Sequence, residues 1–104
     1  MANFVFAYHG GKAPETPEEG ERVMAAWNSW YGSIGKAVKD GGGPAGPSKT
    51  VSPGGAVADD GGPNPLSGLT IVQCPDIDTA VELAKGCPIL DDGGSVEIAE
   101  ILQM

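Results

Sequence analysis

The chain has 104 residues, six Lys/Arg against fourteen Asp/Glu and a formal net charge of −8, which bounds it to one small acidic domain with one modest core. Nucleic-acid binding needs clustered cations to displace phosphate counterions, and these few are scattered. No apolar run approaches the roughly 18–20 residues of a bilayer span, and MANFVFAYHG lacks a basic start and a small-residue cleavage pattern, so a cytoplasmic protein without membrane contact is expected.

Residues 3–8 alternate and are rich in aromatic and β-branched types, which predicts a strand with Phe4, Phe6 and Tyr8 on one face and Asn3, Val5 and Ala7 on the other. Gly10 and Gly11 end it. Thr16, Pro17 and Glu19 then spell a capping box with proline in the first turn. From there Val23, Met24, Trp27, Trp30, Tyr31, Ile34 and Val38 recur at three- and four-residue steps, predicting a helix over about residues 17–38. Gly32 and Gly35 are poor helix residues and mark close packing or an early end, placed between Ile34 and Lys39.

Half of residues 41–68 is glycine or proline, nine and five of them, so a loop-rich insertion is expected over about 41–67. Within it residues 49–52 and 55–58 flank Pro53-Gly54 as a weak hairpin or a long functional loop. Residues 68–74, GLTIVQC, read as a central strand. Asp76 caps a second helix with Ile77, Ala80, Val81 and Ala84 on one face, closed by Gly86 and Pro88. Residues 95–102 form a last strand after Gly93-Gly94.

The order is that of an α+β, ferredoxin-like βαββαβ sandwich, an antiparallel sheet with both helices on one face. Val5, Ala7, Thr70, Val72 and Ile101 make either face too apolar to be left in water, so a homodimer that pairs two open faces is expected. Cys74 and Cys87 show neither a CxxC motif nor neighbouring histidines and are expected to be reduced, partly buried thiols.

Several stretches together resemble the YCII-related proteins, including their DGPF-motif branch. They are Tyr8-His9-Gly10-Gly11 after the first strand, the helix with Trp27 and Trp30, the Gly-rich run after Asp40, Asp59-Asp60-Gly61-Gly62, the run 66–72, and the run 76–88, DIDTAVELAKGCP, which is the most specific. The likeness spans roughly residues 3–102. It implies a dimeric α+β barrel, two subunits placing their sheets face to face around a small-molecule cleft, in a family mostly without an established activity. A His–Asp pair suspected in some members has no counterpart here, since His9 is the only histidine and the motif reads DGGPNP at 60–65.

His9, at a strand end, is a candidate acid or base near neutral pH, against the plainer reading of a surface histidine. Glu97 shares a strand face with Ser95, Ala99 and Ile101 and is its candidate partner, unless it is an edge charge that discourages strand addition. Asp60 is a second candidate partner, although aspartates before glycine are ordinary turn formers. Tyr8, Ser67 and Trp30 are candidate ligand contacts; at a three-residue spacing Trp27 and Trp30 also fit core or interface anchors.

The run 41–46 formally fits GxGxxG, but prolines break it and no helix follows; Gly35-Lys36-Ala37 lacks the rest of a phosphate loop. The acidic groups at 15–21 and 91–92 have no calcium-loop spacing. The expected role is cofactor- and metal-free proton transfer of isomerase or lyase type on a small molecule. The alternative is a non-catalytic metabolite-binding or protein-interaction module.

Overall fold

A computed structural model describes residues 1–103. Strand β1 (Ala2–His9) leads to helix α1 (Pro17–Ile34), strand β2 (Val38–Pro44), a hairpin of β3 (Thr50–Val51) and β4 (Val57–Ala58), strand β5 (Leu66–Cys74), helix α2 (Ile77–Ala84), a 3-10 turn (Pro88–Asp92) and strand β6 (Ser95–Glu100). The main sheet runs β2-β5-β1-β6 with every neighbour antiparallel. This is the expected ferredoxin-like α+β architecture, with β1 and β5 in the middle. Among the described residues no helix is long and apolar enough to cross a membrane.

Thr16 caps α1 as its sequence requires, its hydroxyl accepting from the Glu19 N–H at 3.1 Å. The reciprocal arm differs from the expected box. The Glu19 carboxylate accepts from the Glu15 N–H at 2.9 Å, one residue further back than the cap itself. Asp76 caps α2 through the Thr79 N–H and hydroxyl, and these bonds hold its carboxyl below the usual range.

Phe4, Phe6 and Tyr8 are buried and face the helices with Thr70 and Val72 of β5. Trp30 is the anchor of α1: it stacks on Phe6 and donates its indole N–H to the Leu83 carbonyl of α2 at 3.0 Å. Thr70 and Val72, expected among either face's apolar set, therefore belong to the core. The other face of the sheet carries Val5, Ala7, Leu69, Ile71 and Ala99. Among the described residues nothing covers that face, as the 19 Å thickness of the molecule already implies for two layers.

Helix α1 ends at Ile34, the near limit of the expected interval between Ile34 and Lys39, because Ala37 and Val38 donate back to Ile34 and Gly35 in tight turns that swing the chain into β2. One expectation changes. The insertion expected from residue 41 begins after Pro44, because residues 38–44 are a strand of the main sheet. Its sequence, VKDGGGP, has almost no β-propensity; backbone pairing to β5 supplies what side chains do not. The predicted hairpin exists as β3–β4 but forms a separate two-stranded sheet.

Candidate functional site

His9 is the last residue of β1, on the open face of the sheet. The β1–β5 register slips between Tyr8 and His9, so the imidazole meets the chain just before β5. Its Nδ1 lies 3.0 Å from the Asn64 carbonyl and 3.3 Å from that of Pro65. On the other side β6 pairs Ala7 with Glu97 and His9 with Ser95, which puts Glu97 diagonally across from His9 on the same face. The His9 Nε2 to Glu97 Oε1 distance is 3.0 Å.

Carbonyls only accept, so Nδ1 carries a hydrogen and donates it to the loop. Nε2 then faces a carboxylate oxygen, and that contact is a hydrogen bond only if one proton sits between ring and carboxyl. The His9 side chain is only 12% exposed whereas that of Glu97 is 69% exposed, so the carboxylate is the end a ligand on this face would meet.

Asp60 stands apart from this pair. Its carboxylate accepts from the Gly62 N–H at 3.0 Å, and its carbonyl accepts from the Thr50 hydroxyl. Asp59 pairs with Lys49 at the base of the hairpin. The loop does reach His9, through the Asn64 and Pro65 carbonyls, main-chain groups that residue identity does not announce.

Tyr8 and Ser67 are brought elsewhere. Both line a groove of about 990 Å3 on the helix side, together with Met24, Trp27 and Tyr31 of α1. The Ser67 hydroxyl donates to the Gly10 carbonyl at 2.7 Å. Trp30 lies beneath, 6% exposed, as the core anchor already described. The residues missed in the sequence are Thr70 and Tyr31. The Thr70 hydroxyl accepts from Tyr8 at 2.7 Å, lies 2.9 Å from that of Tyr31 and donates to the Gly41 carbonyl at 3.2 Å. Only the alternation of β5, which sets Thr70 on the face of Val72, hinted at this.

Burial raises the Tyr8 phenol far above its ordinary value, opposed in part by the Thr70 hydrogen bond. The folded chain therefore keeps Tyr8 neutral while the unfolded chain ionises it near pH 10. Stability should be untouched by this group below that pH and fall as pH rises through and beyond it. Urea midpoints measured from pH 8 to 11 should drop above pH 10 in the parent and drop less in Tyr8→Phe; equal slopes would remove the phenol as the cause. Cys74 and Cys87 are free and buried, and burial pushes the Cys87 thiol up to about 11. Neither is a nucleophile at neutral pH.

Among the described residues no three His, Cys, Asp or Glu side chains gather closely enough to hold a metal ion. No curated protein matches the sequence significantly. The YCII-related domain matches residues 4–104, essentially the whole chain. The chain belongs to the YCII-related family.

Proposed function

We propose that the chain works as a homodimer that encloses a small-molecule cleft between two open sheet faces and performs cofactor-independent proton transfer there. The observation that carries the chemistry is the His9–Glu97 contact at 3.0 Å, backed by the loop carbonyls on the far side of the ring. The face supports the assembly: Val5, Ala7, Leu69, Ile71 and Ala99 surround the pair with apolar surface, whose removal from water favours association by about 25 cal/mol per Å2.

The step is an allylic or keto–enol type isomerisation. The Glu97 carboxylate takes a proton from a carbon beside a carbonyl; the proton returns to another atom of the same molecule from the shared His9–Glu97 position. No electron acceptor and no leaving group are needed. The hydrogen bond from Nδ1 to Asn64 fixes the orientation of the ring, with Nε2 turned to Glu97.

The test is deuterium wash-in from D2O into a panel of small carbonyl acids, read by proton NMR, alongside mass by light scattering. The parent should run at twice 10.5 kDa and exchange at least one compound. Glu97→Gln should lose roughly 10²- to 10⁴-fold of that rate while keeping its mass. Leu69→Asp should fall to the monomer mass and lose exchange. A monomeric parent sinks the assembly, and a Glu97→Gln variant as fast as the parent sinks the chemistry.

A further inference from the structure

We propose that the groove between α1 and the sheet is a binding site for a neutral, planar aromatic molecule. It lies on the opposite side of the sheet from His9 and Glu97, so it stands apart from the proton-transfer reading. Tyr8 and His9 are consecutive in β1 and project to opposite faces.

The size and the walls fit such a ligand. A volume of about 990 Å3 is at the upper end of what small-molecule sites offer. Three rings line it: Tyr8 meets Trp27 edge to face at 5.1 Å, and Trp27 and Tyr31 are tilted by 37° at 5.9 Å. Such a cluster offers both edge and face contacts to a flat ring. Met24, also in the lining, is 63% exposed, a polarizable thioether on a helix otherwise anchored by buried aromatics. The hydroxyls of Tyr8, Tyr31 and Ser67 are turned inward to Thr70 and Gly10, so they leave the walls apolar.

Charge sets the class further. Among the described residues the only ionic side chain in the lining is Glu21, and the chain as a whole carries −8. An anionic ligand would have to leave water for a site with no cation. A neutral ring system does not, and the Asn28 amide in the lining offers it one polar handle.

The space also accepts atoms. A Cβ at Gly20, in the lining, would meet only Pro14 at 3.9 Å. Gly20 sits in α1, where a larger residue strengthens the helix, so Gly20→Leu fills the groove without removing a structural contact.

The probes are N-phenyl-1-naphthylamine, a neutral flat dye, and 8-anilinonaphthalene-1-sulfonate, the same skeleton with a sulfonate. The parent should bind the neutral dye saturably, one per chain, and the sulfonate at least about tenfold more weakly, a difference of about 1.4 kcal/mol. Glu21→Gln should narrow that gap. Gly20→Leu should weaken the neutral dye at least about tenfold with helix content and mass kept and an unfolding midpoint no lower than the parent's, and His9→Ala should leave it alone. Ala25→Leu, also in the lining, fills the same space from α1 and should act alike, which keeps the test valid if Gly20→Leu folds poorly. Equal binding of both dyes overturns the proposal, as does neutral-dye binding that neither filling variant alters. A drop in mass on filling also overturns it, since a second copy would then occupy the groove.

Discussion

Thr70→Val is expected to lower the unfolding free energy by about 2–4 kcal/mol, although it swaps side chains of almost the same shape. Thr70 is fully buried and its hydroxyl stands at the junction of three others: Tyr8, Tyr31 and the Gly41 carbonyl. Valine takes away the acceptor of the buried Tyr8 hydroxyl and leaves only the neighbouring Tyr31 hydroxyl near it. Tyr31 suffers less, because its hydroxyl already lies 3.4 Å from the Gly41 carbonyl and can turn to it. Tyr8→Phe removes only a donor and leaves Thr70 its other partners, so it should cost about 1 kcal/mol. Combined with Thr70→Val it should give back part of that larger loss, because the orphaned group is then gone. Urea unfolding of the four proteins measures the cycle. A Thr70→Val loss no larger than that of Tyr8→Phe would show that the junction is not what holds these groups.

Gly42→Ala is the second large effect, about 3–5 kcal/mol or outright detachment of β2. Gly42 has φ of +59°, and a Cβ there would overlap the Leu69 carbonyl oxygen of β5. It sits where the β2 register jumps between Asp40 and Gly43, with its N–H tied to the Asp40 carboxylate at 2.9 Å. An alanine must either adopt left-handed backbone against a carbonyl or undo the bulge, and both release the strand. Gly41→Ala is the control: a Cβ there meets nothing within 4 Å and its φ is not in the left-handed region. It should be near neutral. The two melting curves decide the matter, and equal losses would mean that any side chain in this run is resisted.

What the residues announced, and what they did not, follows from where the information lies. β1, β5 and β6 carry their own alternation, so the members of each face were legible, but which face stays open, and with it whether His9 and Glu97 share it, was not. Register between strands is a tertiary quantity, and it is register that brings the pair to 3.0 Å. β2 was invisible because VKDGGGP becomes a strand only by borrowing hydrogen bonds from β5. The loop's contribution to His9 was invisible for a similar reason, being two peptide carbonyls in Asn64-Pro65 where the eye goes to the acid Asp60. The helix stripe of α1 correctly identified Trp30 as core. It could not say that Trp27 and Tyr31, on the same stripe, would stand over an open groove, since periodicity records which side faces inward and not how far the layers stand apart.

The two borders of the sheet have a consequence for how this chain behaves in a crowded solution. β2 presents Lys39, Asp40, a glycine bulge and Pro44 along one border; β6 presents Glu97 and Glu100 along the other. Proline, charge and irregular backbone are the features that stop an edge from templating a further strand. Each border therefore resists end-on growth toward fibrils, and an acidic chain this rich in glycine can keep one apolar face uncovered during synthesis without its sheet extending sideways into neighbouring molecules.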